Sequence, residues 1–333
     1  MTTFTAFAAC CDVGGTKALL GLVSERGDIL ARERYLLGED REPVLLAAEI
    51  VGRLKMQAER SGLAWEYAVG IGCSAAIMGD IQSGVIYAAP NMLPNHRNVP
   101  FREMLRNASG RPAIIEMDAY AAALGESWKG VGAGVDYFVY VVVGTGVGAG
   151  ILQQGQVFRG WSGTAGEFGH ATIDPNGPLC NCGRYGCLEA LASGPAIAAR
   201  AQGAVTQGRR TSLRSVMPIT TETVFEAARQ GDDVAREVVA RTVEYLAIGL
   251  SNLVHLLNPR RIGLGGGVIQ GGADLILESL RRETAARCGP WVDADRLDIV
   301  LAVLGEDAPL LGVARNIWAV VGAEPIPSAE IHA

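Results

Sequence analysis

Two stretches of the chain share one pattern: an apolar run, a glycine-rich turn and a second apolar run. The first is CCDVGGTKALLGLV, starting at Cys10, and the second is YFVYVVVGTGVGAGIL, starting at Tyr137. Apolar runs this short on both sides of a turn read as buried strands, so each turn joins strand to strand. That excludes two common phosphate-binding folds. The chain has no GxxxxGK[ST] P-loop, and a dinucleotide fold needs its glycines to lead into a helix. A strand–turn–strand unit that recurs implies a duplicated α/β architecture.

The segments around these units alternate in the same way. Leu45, Leu46, Ile50, Leu54 and Ala58 recur at helical spacing, while 67–73 and 113–116 read as buried strands. Asp118 then opens the Ala-rich helix AYAAALGESW, and long helices are expected at 233–257 and 273–286, a strand at 298–303 and a last helix at 308–321. A length of 333 residues with 49% hydrophobic content can bury two cores. The expectation is a small α/β lobe at 1–117, a large lobe at 118–307 carrying a cysteine-rich loop, and a cleft between them. The last helix, to residue 322, is expected to cross back to the first lobe.

Composition narrows the function. A formal net charge of -6, with no basic run longer than a pair of arginines, offers no stripe to neutralise a nucleic-acid backbone. The start FTAFAACC lacks a preceding positive charge and suits a buried strand better than a signal peptide. No run reaches the roughly 18 to 20 apolar residues of a membrane span, so the cytosol is the expected compartment. Seven cysteines, an odd number, favour metal ligation over a disulfide framework.

Three glycine clusters stand at expected strand ends: Gly14-Gly15-Thr16-Lys17, Gly144-Thr145-Gly146 and Gly265-Gly266-Gly267. Glycine lets backbone N–H groups approach a phosphate closely, and Thr and Lys add a hydroxyl and a charge. Tight hairpins alone would also use such clusters. Asp118 has two readings as well, a carboxylate that accepts a proton and an N-cap for the helix that follows.

Together, DVGGTK at Asp12, GTGVGAG at Gly144, AGEFGH at Ala165, CNCGRYGCLE at Cys180 and LGGGV at Leu264 resemble the ROK family of bacterial sugar kinases and sugar-responsive repressors. The resemblance implies a two-lobed actin-like or hexokinase-like ATPase fold, often homodimeric, that moves the γ-phosphate of ATP onto a sugar hydroxyl with Mg2+. It implies Asp118 as general base and Asp12 as the residue that orients hydrated Mg2+. Gly14, Gly15, Thr16 and Lys17, with Gly144, Thr145 and Gly146, would approach the phosphates, and Gly265, Gly266 and Gly267 the nucleoside.

The cysteine-rich stretch then reads as a structural zinc site, since Cys180, Cys182, Cys187 and His170 make a closed tetrahedral set. In the family the matching histidine also touches the sugar, and the glutamates matching Glu167 and Glu189 accept from sugar hydroxyls. Cys10, Cys11 and Cys73 lie in apolar strands and are expected to fill the core. The family's repressors carry a helix-turn-helix domain before DxGGTK. Only residues 1–11 precede Asp12 here, so a kinase is expected, with a non-catalytic sugar sensor as the alternative.

Four positions depart from the family's pattern. Met117 stands where Asn is usual, Tyr120 replaces another Asn, CSAA occupies 73–76, and NMLPNH places His96 where Trp is usual. Methionine offers no amide to a ring hydroxyl. Either the substrate shifts from glucose toward an N-acetylhexosamine or a cyclitol, or Asn91 makes the lost contact.

Overall fold

The computed structural model describes residues 5–38, 41–290, 292–293 and 296–323. The chain forms two compact units, Met1–Ala133 with Glu306–Ala333, and Gly134–Gly305. The first opens with strands β1 (Phe7–Val13), β2 (Lys17–Val23) and β3 (Ile29–Leu36), then helix α1 (Pro43–Arg60) and strand β4 (Ala68–Ala75). After a small hairpin of β5 (Met78–Asp80) and β6 (Val85–Ala88) come α2 (Phe101–Ser109), β7 (Ala113–Met117) and α3 (Asp118–Lys129). The sheet runs β3-β2-β1-β4-β7, antiparallel on the β2 side of β1 and parallel on the β4 side.

The second unit repeats that plan. Strands β8 (Tyr137–Val143), β9 (Val147–Gln153) and β10 (Gln156–Val157) lead to helices α4 (Leu188–Ala192), α5 (Gly194–Thr206), α6 (Thr221–Arg229) and α7 (Asp233–Leu257). Strand β11 (Arg261–Gly265), helices α8 (Gly267–Gly271) and α9 (Ala273–Arg287) and strand β12 (Asp298–Leu301) complete it. Its sheet order, β10-β9-β8-β11-β12, matches the first strand for strand. The two glycine-turn hairpins of the sequence therefore occupy equivalent central positions in a duplicated mixed sheet, and the fold is α/β as expected.

Each unit has its own core. In the first, Phe7, Ala9, Cys11 and Val13 of β1 share a cluster with Ile50 and Leu54 of α1. Alternate β1 residues point to the other face, where a last helix, α10 (Ala308–Ala323), packs against the sheet and α3. Close approach is built into both contacts. A Cβ on Gly72 of β4 would lie 2.8 Å from the Val313 Cβ, and one on Gly312 of α10 would run into the Ala121 carbonyl of α3. Arg315 adds a bond from Nη1 to the Ser127 hydroxyl at 2.7 Å.

The lobe boundary expected between 117 and 118 thus falls elsewhere, between Ala133 and Gly134. The reason is packing: α3 is held by α10 and by the strand it follows, so it stays with the first sheet. Cys10, Cys11 and Cys73 are buried in that unit. Among the described residues, no helix is long and apolar enough to cross a membrane.

Candidate active site and metal centre

Two neighbouring parallel strands, β1 and β4, and their neighbour β7 deliver the first group of residues. Asp12 sits near the end of β1, and Asp118 is the first residue of α3, directly after β7. Both line a small cavity of about 140 Å3 with Gly14, Gly15 and Asn91. The Asp118 carboxylate accepts from the adjacent Ala119 N–H at 2.7 Å, but Met117 is the N-cap residue of α3 and Asp118 lies inside its first turn, so the capping reading fails while the cavity-facing one stands.

Electrostatics separate these two acids from ordinary surface carboxylates. Burial, with the Asp118 charge adding to it, pushes the Asp12 carboxyl up to about 7. Burial also raises Asp118, against the N–H bonds that lower it; its own contact with solvent limits the effect. Two acids with raised pKa values in one small cavity make this a functional-site candidate.

The glycine turn between β1 and β2 is tight, with the Gly14 N–H bonded to the Lys17 carbonyl at 2.9 Å. Gly14 and Gly15 line the cavity, whereas Thr16 and Lys17 do not. The Lys17 amine lies 3.1 Å from the Glu306 carboxylate, which also takes Arg34 and, at 3.4 Å, Arg32. Met117 is likewise outside the lining, its side chain packed against the core of the first unit. The residue before Asp118 is therefore part of the packing, and Asn91 is the amide that faces the cavity.

The junction beneath Asp118 is braced from below. Glu116 is buried, accepts from the Met117 N–H at 3.1 Å and takes the Asn316 amide of α10 at 3.0 Å. No local pattern announces that pair, because 200 positions separate its members.

In the second unit a larger cavity of about 570 Å3 opens beside the β8–β9 turn. Gly144 and Thr145 line it, together with the first turns of α5, α6 and α8. The Gly194 N–H, at the start of α5, bonds the Gly144 carbonyl at 2.8 Å, and a Thr220–Thr223 capping box opens α6. Helix starts direct unpaired N–H groups and partial positive charge outward, a setting suited to phosphate and to polar heteroatoms. Phe225 and Ile219 provide apolar wall, and Arg229 a cation.

Of the third glycine cluster only Gly267 reaches this cavity. Gly265 is glycine because a Cβ there would meet the Tyr140 ring, and Gly266 because it has φ 90° and abuts Val143. Gly146 bonds back to Gly144 and leaves room for Glu189, whose carboxylate accepts from the Val147 N–H at 3.1 Å. Sequence reading did not single out Ile219, Phe225 or Arg229. The Thr-rich start of α6, TTET, was the available signal.

The cysteine-rich loop gathers as expected. Ligand atoms of His170, Cys180, Cys182 and Cys187 all lie within 4.8 Å of one another. The Cys182–Cys187 sulfurs are 3.6 Å apart and the Cys180 sulfur is 3.7 Å from His170 Nδ1. A tetrahedron with bonds of about 2.3 Å to sulfur has edges of about 3.7 Å, which these two separations match, so the donor set suits zinc. The Arg184 backbone N–H helps hold the Cys182 thiol down at about 6, while burial pushes Cys187 up to about 12. The other ring nitrogen of His170, Nε2, lies 3.9 Å from Glu167. This loop thus places Glu167 and His170 side by side at the same unit's surface.

Comparison with known proteins accords with these features. The family model described as "ROK family" matches residues 8–319. A glucokinase from Halalkalibacterium halodurans is 34% identical over 90% of this chain and 92% of its own length. A xylose repressor from Caldicellulosiruptor bescii is 35% identical over 77% of this chain and 64% of its own. The solved structure of a ROK family glucokinase from Streptomyces griseus, in complex with glucose and AMPPNP, aligns with a TM-score of 0.73 and 33% identity, over 93% of this chain and 98% of that one. With its motifs, duplicated sheets and Cys3His loop in place, the chain belongs to the ROK family.

Proposed function

We propose that this chain transfers the γ-phosphate of ATP to a hydroxyl of a hexose or hexose-like polyol, with Asp118 as general base. One observation carries the reading: Asp118 shares its small cavity with Asp12, the Gly14–Gly15 turn and Asn91. The kinship with a glucokinase crystallised with glucose and AMPPNP supports the donor and the acceptor.

Asp118 accepts the proton of the sugar hydroxyl as that oxygen bonds to the γ-phosphorus. The bond from phosphorus to the bridging oxygen breaks, and ADP leaves with the electron pair. A pKa raised by burial brings Asp118 nearer the operating pH, which favours proton acceptance. Asn91 orients the acceptor, and Glu167, His170 and Glu189 are assigned to further hydroxyls. The second unit's cavity takes the nucleoside, and Gly144 and Thr145 hold its phosphates. Mg2+ would be held through water at Asp12 and would neutralise phosphate charge. Zn2+ would be held by His170, Cys180, Cys182 and Cys187 and would fix the loop that carries Glu167 and His170. A homodimer completes the proposal on the strength of the resemblance, and light scattering of the purified protein tests the assembly.

A coupled ADP-release assay against hexoses, N-acetylhexosamines and cyclitols tests the function. Asp118→Asn should lower kcat by roughly 10²- to 10⁴-fold with little change in sugar binding. A sugar-sensing regulator would bind the sugar, release no ADP and be indifferent to Asp118→Asn.

A further inference from the structure

The small cavity of the first unit is made by two loops that belong to different parts of the chain. Gly15 lies in the β1–β2 turn, and Asn91 lies in the connection between β6 and α2. They lie close together: a Cβ added to Gly15 would be 3.5 Å from the Asn91 Cβ. Neither loop is part of a sheet at that point. Something must hold the pair in register if Asn91 is to meet a hydroxyl while the turn meets a phosphate.

Arg41 is placed to do this. Its Nη2 donates to the Gly15 carbonyl at 2.6 Å and its Nη1 to the Asn91 carbonyl at 2.6 Å. Its Nε donates to Gly38 at 2.9 Å, which anchors the fork in its own segment. Two neighbours reinforce the tie. The Leu37 N–H bonds the Thr16 carbonyl at 3.0 Å, and Glu42 lies 3.6 Å from His96 at the far end of the Asn91 loop. A planar guanidinium with fixed donor directions can bridge two carbonyls at once; an ammonium cannot reproduce that fork.

We propose that Arg41 is a positioning residue that locks the glycine turn to the Asn91 loop and so preforms the acceptor cavity. The inference rests on the kinase reading for its effect on turnover, while the tie itself stands on geometry. Without the fork the loops sample other arrangements, and the apparent affinity for the acceptor falls in proportion to the competent fraction. Once bound, the acceptor restores the arrangement, so turnover at saturation is largely kept.

Arg41→Met and Arg41→Lys test the idea by two readouts, hydrogen exchange and steady-state kinetics. In Arg41→Met, amides of 14–16 and 89–96 should exchange roughly tenfold faster, and the acceptor KM should rise roughly tenfold with kcat within about threefold. Arg41→Lys should fall between it and wild type. Unchanged exchange and KM in Arg41→Met, or a fully wild-type Arg41→Lys, overturns the proposal. If wild type phosphorylates none of the panel, the functional reading fails, and exchange alone decides the tie. Should Arg41→Met not fold, Arg41→Lys carries both readouts.

Discussion

The crossing of α3 and α10 offers a sharp test of how the base is held. In Gly312→Ala the new Cβ would be built 1.7 Å from the Ala121 carbonyl oxygen. That oxygen belongs to backbone and cannot swing aside. Reaching the 3.0 Å floor of real Cβ contacts parts the helices by about 1.3 Å. A gap of that size along buried Leu310, Leu311, Val313, Ala314 and Ile317 forfeits much of their dispersion attraction. Such overpacking costs about 3 kcal/mol at the upper end, and alanine's better helix propensity returns about 1, leaving a net loss of about 2 kcal/mol.

The consequences should appear in two assays. Calorimetry should show the first unit melting about 5 °C lower, at 2 to 4 °C per kcal/mol for a unit of this size. Because α3 begins with Asp118, a share of the displacement reaches the base, and kcat should drop by roughly tenfold to a hundredfold. Gly203→Ala in α5 is the matched control, since a Cβ there meets nothing within 4 Å. It should be neutral or stabilising by up to about 1 kcal/mol. If Gly312→Ala melts at or above wild type and turns over normally, the close crossing does not position Asp118.

Other outcomes follow from the same geometry. Freshly purified, reduced protein should contain about one zinc per chain by metal analysis, and Cys187→Ser should lose it; wild type without zinc refutes the tetrahedral reading. The folded pKa of Asp12 lies above its ordinary value of 3.8, so the folded state keeps a proton that the unfolded chain has released. Stability should therefore fall as pH rises from about 4 to about 7, less so in Asp12→Asn, and equal pH profiles in denaturant melts would count against it. Mg2+-nucleotide binding near pH 7 should release that proton, seen as a buffer-dependent heat in calorimetry that Asp12→Asn abolishes. Asn91→Ala should lower kcat/KM for the acceptor roughly tenfold or more, whereas Met117→Asn should cost stability without improving glucose turnover. A large gain in Met117→Asn would return that residue to the acceptor site.

What could be read from the sequence was local. Cys180, Cys182 and Cys187 crowd into one loop, so their spacing alone suggests a metal. The two hairpins announced themselves because apolar runs flank each glycine turn. Helix α7 was legible from end to end, since Asp232 caps its start and Asn258, with φ 43°, closes it. The distant pairings were not legible. Arg41 reaches carbonyls 26 and 50 positions away, and nothing in its neighbours distinguishes it from a surface arginine. Met117 reads on its chemistry as a specificity residue, and its contact with the core depends on a sheet that the local sequence does not display. The unit boundary was misplaced for the same reason, because what holds α3 is a helix nearly two hundred residues downstream.

That helix also sets an order of assembly. The second unit is one continuous stretch, so on the ribosome it can close as soon as its own residues have emerged. The first unit cannot: its sheet is synthesised early but the face around Gly72 waits for α10, which emerges only after residue 305. Synthesis runs from the first unit to the second, and completion runs the other way. During that interval a half-covered sheet with an exposed apolar face is the species that chaperones must shield, and truncations that remove α10 should aggregate rather than fold as a smaller enzyme.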